Sequence, residues 1–206
     1  MYTKSKLAVL DQLRFNVERH TYSLDDMRIQ SVTQVIAPFL PYDNVPREIR
    51  EQALTRGDLV HSLTVLAEKG RSWRDDAKET ELEGYVDAWL RFLEVVEPTI
   101  LDVELRVYHS KYRYAGTLDR LAKVNGRVAV IEIKTGGLVP EYAWQTAAYQ
   151  EAHNDGLVTN QERALDRYAV KLNADGSYRI TQYRERADFD AFLAALTLTN
   201  WRTRYA

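Results

Sequence analysis

The sequence predicts an α/β (α+β) domain with a mixed central sheet flanked by helices and a helical N-terminal region. Three observations carry this. Apolar residues recur at helical spacing through the first half of the chain. Past Pro98 the period shortens to strand-like alternation. Strands and helices then interchange to the C-terminus. At 206 residues the chain is long enough to bury a sizeable core.

Residues 1–30 are polar and mixed, with a weak helical pattern at Leu7, Leu10, Leu13 and Val17. Ser31 is placed to cap a short helix that ends before Pro38. Pro38, Pro41, Asp43-Asn44 and Pro46 then mark a loop. Over 47–69, Ile49, Ala53, Leu54, Val60, Leu63, Leu66 and Ala67 recur at helical spacing, and Gly70 is the stop. A second long helix is expected over 75–95, with Leu82, Tyr85, Val86, Trp89, Leu90 and Leu93 on one stripe.

Strands follow over 100–108, 114–124 and 127–134; Asn125-Gly126, the strongest short hairpin signal, joins the last two. A helix over 140–153 leads to a turn at Asn154-Asp155-Gly156. Strands over 163–172 and 178–183 flank a turn at 173–176, and a helix from 188 to about 201 closes the chain. No repeat or linker interrupts this order. Residues 1–206 therefore read as one domain: a mainly helical part (1–98), a sheet core (99–186) and a C-terminal helix (187–206).

With 45% hydrophobic and 28% charged residues, the composition is that of an ordinary globular chain. No apolar run approaches the roughly 20 residues that span a bilayer, so no membrane partner is expected. Asp11 and Arg14 interrupt the N-terminal apolar stretch too early for a secretory leader, so a cytoplasmic location is expected. The absence of cysteine excludes disulfides, thiolate zinc sites, iron–sulfur clusters and cysteine nucleophiles. A metal would be held by carboxylate, imidazole, carbonyl and water, which favours Mg2+ or Mn2+. The net charge of −2 argues against a uniformly basic nucleic-acid binder but allows basic groups gathered in a groove.

The hairpin concentrates the chemistry. With Asn125 and Gly126 at the turn, Val124 faces Arg127, Leu121 faces Val130, and Asp119 faces Glu132. Acids directly opposite have Cβ atoms about 4.5–5.5 Å apart and repel, so the pair asks for a cation or a shared proton. Lys134 leaves the same face two residues after Glu132, while Ile131 and Ile133 point into apolar packing. Such a pair can hold a divalent ion beside a phosphate, with the ammonium stabilising the charged transition state. Taken alone, an acid and a lysine at a strand end are more often a solvated ion pair.

Gly116-Thr-Leu-Asp119, Glu132-Ile-Lys134 and Gln145-Thr-Ala-Ala-Tyr149 together resemble the PD-(D/E)XK nuclease superfamily, in particular its RecB-like branch. Gly57-Asp-Leu-Val-His61, Glu104 and Ser31-Val-Thr33 match further features of that branch in the same order. The proline that names the superfamily is absent, Leu118 standing before Asp119. The resemblance implies a restriction-endonuclease-like core. It implies metal binding by Asp119, Glu132, the Ile133 carbonyl, His61 and Glu104, and positioning of the attacking water by Lys134. It implies orientation of Lys134 by Gln145 and Tyr149, and DNA contacts from Ser31 and Thr33. No iron–sulfur cluster is expected, in contrast to several relatives.

Lys111, Arg113, Tyr142 and Trp144 are further candidates for DNA contact, mixing base-stacking rings with basic groups near the catalytic strand and helix. Arg71 and Arg74 are candidates to line a strand-threading arch. Each has a bland counterpart: a packed histidine for His61, a solvent-facing strand acid for Glu104, core for Tyr149, a helix cap for Ser31. The expected activity is a Mg2+-dependent deoxyribonuclease, an exonuclease of recombination, repair or phage DNA metabolism, acting on single strands or DNA ends. A recombination or single-strand-binding protein is the expected partner. The alternatives are a structure-specific endonuclease, a catalytically silent DNA-binding module, and a carboxylate-pair hydrolase acting on sugars.

Overall fold

The structure, a computed structural model, describes residues 1–17, 19 and 21–205. The helices are α1 (Lys4–Gln12), α2 (Val32–Ile36), α3 (Arg47–Glu68), α4 (Arg74–Glu79), α5 (Glu83–Val96), α6 (Glu141–Asn154) and α7 (Ala187–Tyr205). The strands are β1 (Arg14–Asn16), β2 (Thr21–Leu24), β3 (Met27–Ser31), β4 (Thr99–His109), β5 (Tyr114–Val124), β6 (Arg127–Lys134), β7 (Asp166–Leu172) and β8 (Tyr178–Tyr183). Among the described residues no helix is long and apolar enough to cross a membrane.

All eight strands join one mixed sheet. β5 is its centre. β4 runs antiparallel along one edge of it, while β3 (parallel, at Tyr114 and Ala115) and β6 (antiparallel, from Arg120 to Val124) also pair with it. β6 and β7 are parallel and β8 closes the far side. The Asn125-Gly126 turn is where the sequence places it, both residues having positive φ (50° and 77°).

Helices cover both faces. On one face α2, α6 and α7 bury Val32, Val35, Ala148, Tyr149 and Phe192 against Val107, Leu121, Val128 and Val130. On the other, α3 and α5 bury Val60, Leu63, Val86, Trp89 and Phe92 against Ala122, Ala129, Ile131 and Ile133. Trp89 and Phe92 stack at 4.9 Å between ring centres. Each valine, leucine, isoleucine or phenylalanine among these contributes roughly 1.5–3 kcal/mol by leaving water.

Two parts differ from expectation. The weakly helical reading of residues 1–30 misses β1, β2 and β3, strands of three to five residues, too short to show a period. Asp25 and Asp26, at φ 49° and 59°, form the β2–β3 turn, and Leu13, Tyr22, Leu24 and Ile29 pack on Tyr108 and Ala115. The helix expected over 75–95 is broken where Glu81 turns left-handed (φ 57°). The Thr80 hydroxyl donates to the Asp76 carbonyl (2.8 Å), ending α4 there.

Candidate active site

Strict alternation fails in the middle of β5, and the failure builds the site. Leu118 and Leu121, three residues apart, share the α6-side core, whereas Arg120 and Ala122 face α3 and α5. On the partner strand Glu104, at the same level, adopts φ 52°, and the β4 register shifts farther along, between Ile100 and Asp102. The β5–β6 ladder follows the expected register but stops at Arg120–Ile131. Asp119 and Glu132 are therefore not a rung of that ladder, as the sequence suggested. They lie where the strands part.

There, the Asp119 carboxylate accepts the Ile133 N–H (Oδ2, 2.6 Å) and approaches His61 Nδ1 of α3 (Oδ1, 3.2 Å). Glu132 leans to α6: its Oε1 accepts from Lys134 Nζ and from Gln145 Nε2, each at 2.8 Å. Gln145 also accepts from Lys134 Nζ (3.1 Å) and donates to the Tyr149 hydroxyl (3.2 Å). Lys134 Nζ lies 4.2 Å from the centre of the Tyr142 ring, whose hydroxyl bonds that of Tyr42 (2.8 Å).

Asp119 and Glu132 are both buried, which disfavours the charge of each. For Asp119 that cost is overcome by His61, Lys134 and the Ile133 N–H, and its carboxyl sits below the usual range. For Glu132, burial and the Asp119 charge win against Lys134, pushing the carboxyl up to about 7. Burial works against a charge on His61 too, yet Asp119, Glu104 and Glu132 raise its imidazole to about 10. The acids thus hold a proton on His61 as their counter-charge.

One ligand atom from each of His61, Glu104 and Asp119 falls within a 4.8 Å span. Glu132 Oε2 is buried and has no hydrogen-bond partner. An imidazole clustered with two acids, and a further buried carboxylate, Glu132, whose charge acts on His61 and which feels that of Asp119, fit a hard divalent cation of the Mg2+ or Mn2+ type. A separate hollow of about 900 Å³, lined by Arg127, Arg163, Arg167 and Tyr183 among others, contains none of these groups. Charge, not concavity, marks the site.

The structure gathers His61, Glu104, Asp119, Glu132, Lys134, Gln145 and Tyr149. Ile133 joins through its N–H. Tyr142 adjoins Lys134 with its ring face engaged and is itself buried. Trp144 packs edge-on against Phe39 (5.8 Å). Ser31 is the α2 N-cap: its Oγ accepts the Gln34 N–H (3.1 Å), completing a capping box, and lies 3.2 Å from the exposed Thr33. Lys111 and Arg113 occupy the exposed β4–β5 turn, Lys111 over the Tyr112 ring (5.0 Å). Arg113 is six residues from Asp119 along β5, roughly 20 Å. Arg74, an exposed candidate for the arch, is paired with Glu83 (2.7 Å).

Sequence reasoning missed Arg120, Thr64, Glu68, Tyr42 and Arg56. Arg120 is fully buried; its signal was a charged residue at an inward position between Leu118 and Ala122. Arg56 Nε reaches Thr135 Oγ1 (3.4 Å), beside Lys134. Nothing in the sequence pairs Tyr42 with Tyr142.

A mixed sheet parted around two buried carboxylates, with a lysine on one and a histidine on the other, is an arrangement suited to holding a divalent cation beside an ammonium group. Residues 33–203 match the PD-(D/E)XK nuclease superfamily, and the chain belongs to that superfamily. No curated protein matches it in sequence. Among solved structures, a candidate exonuclease from Eubacterium rectale is 13% identical with a TM-score of 0.49, covering 73% of this chain and 65% of its own. This chain thus spans less than two thirds of that protein's length. The alkaline exonuclease LHK-Exo of Laribacter hongkongensis is 18% identical with a TM-score of 0.42, covering 85% and 94%. Its complex with dAMP is 16% identical with a TM-score of 0.44, covering 86% and 95%.

Proposed function

We propose that the chain is a Mg2+- or Mn2+-dependent deoxyribonuclease that degrades DNA from its ends, with the reaction at Asp119, Glu132 and Lys134. The observation that carries the proposal is the cluster of His61, Glu104 and Asp119 ligand atoms within 4.8 Å of one another, with Glu132 Oε2 buried and, among the described residues, without a hydrogen-bond partner. Those four side chains would hold the cation. When bound, a divalent cation supplies Lewis-acid polarisation of the phosphoryl group and a water of lowered pKa. Family membership supports nuclease chemistry; the Gly57-to-His61 and Gln145-to-Tyr149 motifs resemble the RecB-like branch, and the sequence carries no recognisable target-recognition domain, which favours action at ends.

The chain's own groups divide the remaining work. Lys134, fixed by Glu132 Oε1, Gln145 Oε1 and the Tyr142 ring, directs the attacking water and neutralises charge growing on the phosphoryl oxygens. Gln145 and Tyr149 hold that ammonium in one position. Arg56 and Thr135, the latter one residue beyond Lys134 in the sequence, bond one another and are candidate phosphate contacts. A role in DNA recombination, repair or phage DNA metabolism, in the cytoplasm and beside a single-strand-binding protein, completes the proposal.

The test uses end-labelled linear DNA and a covalently closed circle, each with Mg2+ and with chelator. Progressive loss of the linear substrate in Mg2+ alone is the expected result. Cutting of the circle identifies an endonuclease, and binding without cleavage a silent module. Chelator-insensitive hydrolysis would overturn the cation-based scheme.

A further inference from the structure

Arg120 follows Asp119 and is wholly buried. A guanidinium in such a place is expensive, and an apolar side chain of similar volume would often serve stability as well. Its contacts show where its donors go. Nε donates to Glu68 Oε1 of α3 (2.7 Å), which also accepts the Trp89 indole N–H (2.7 Å). Nη2 donates to Thr64 Oγ1 (3.0 Å), and Thr64 Oγ1 in turn donates to the His61 carbonyl (2.8 Å). Nη1 donates to the Asp119 carbonyl (2.8 Å) and lies 3.7 Å from Glu104 Oε1.

One rigid fork therefore touches all three elements that carry the clustered ligand atoms: α3 one link from His61, β4 at Glu104 itself, and β5 at Asp119. The β4–β5 ladder pairs Val103 with Arg120 and Leu105 with Leu118 but leaves out Glu104 and Asp119 between them, and no ladder joins α3 to either strand, so pairing alone does not fix the spacing of the three. We infer that Arg120 is a positioning residue that sets the spacing of His61, Glu104 and Asp119, and through it the affinity of this cluster for a divalent cation. The inference rests on the reading of these three as cation ligands. A lysine could satisfy Glu68 as a point charge, but its compact ammonium lacks the planar fork that addresses Thr64, Asp119 and Glu104 together.

The experiment titrates the full chain, without DNA, with Mn2+ alone, following bound Mn2+ by calorimetry and electron paramagnetic resonance. Thermal melting in chelator is recorded in parallel. Arg120→Lys keeps the charge and loses the fork. Thr64→Val is nearly isosteric and cuts the link to His61. The expected result is melting in chelator close to wild type, with Mn2+ affinity about 10–100-fold weaker in Arg120→Lys and detectably weaker in Thr64→Val. Should Arg120→Lys not fold, Thr64→Val decides by the same criterion. Folded variants that bind Mn2+ within twofold of wild type overturn the inference and leave the cation reading standing. A wild-type chain that takes up no Mn2+ overturns that reading, and this inference with it.

Discussion

Replacing Gly116 by alanine tests how tightly the fold is coupled to the site. A Cβ on Gly116 would lie 2.5 Å from Tyr149 Cε1, 3.1 Å from Cδ1 and 3.2 Å from Val32 Cγ2. Carbon atoms in contact stand about 3.5–4.0 Å apart, so the ring must retreat by roughly 1 Å. Tyr149 is 2% exposed and has no open side to retreat into. Its hydroxyl accepts from Gln145 Nε2 at 3.2 Å, so the retreat breaks that bond and frees the amide that steadies Glu132 and Lys134.

Overpacking costs about 1–3 kcal/mol. Lower unfolded-state entropy returns about 0.4–1 kcal/mol, because the glycine φ is one alanine also adopts. The expected net loss is about 1–2 kcal/mol in urea denaturation at unchanged slope. Cleavage of linear DNA at saturating Mg2+ should fall about 10–100-fold, the usual consequence of an ångström-scale displacement at a reacting centre. In a Tyr149→Leu background the same substitution should cost less, since the ring is gone. A Gly116→Ala chain within about 0.5 kcal/mol and twofold in rate would refute the coupling.

Lys134→Ala should reduce cleavage by about 10²–10³-fold while the melting curve and Mn2+ binding stay close to wild type, as measured by kinetics and calorimetry. His61 carries a proton up to about pH 10, so proton and cation compete, and the Mn2+ concentration for half-saturation should fall as pH rises toward that value. By the same linkage, the stabilisation from charged His61 is complete below its ordinary value of 6.5 and is lost as pH rises through about 10. Chelated protein should therefore melt at lower temperature over that range, and Mn2+ should reverse the loss. His153 has the opposite sign: burial, then the Lys6 ammonium and the N-terminal amine, hold its imidazole down to about 4. The unfolded chain takes the proton first, so stability should fall by about 3 kcal/mol between pH 6.5 and 4 and then level, a slope His153→Gln removes.

How legible all this was in the sequence depends on the length of each signal. The sheet core could be read because β4, β5 and β6 are long and Asn125-Gly126 fixes one register. The N-terminal strands could not, because three to five residues show no period and Asp25-Asp26 is a weaker turn signal than Asn-Gly. In the site, Asp119, Glu132 and Lys134 were visible from the hairpin, and Gln145 and Tyr149 only through the resemblance to the superfamily. The parting of the strands was not visible, and neither was the left-handed residue in the neighbouring strand, because no turn signal in the sequence marks either. Arg120 could be read as a charge at an inward strand position, but its partners on α3, Thr64 and Glu68, could not.

Glu104 is that left-handed residue, a half-exposed acid at φ 52° in the middle of β4. For a side chain with a Cβ the conformation costs about 1–2 kcal/mol, and glycine adopts it freely. Glu104→Gly should thus make the chain hardier while stripping a carboxylate from the cluster. Selection for heat resistance alone would drift toward that glycine, whereas selection for turnover would keep the strained acid.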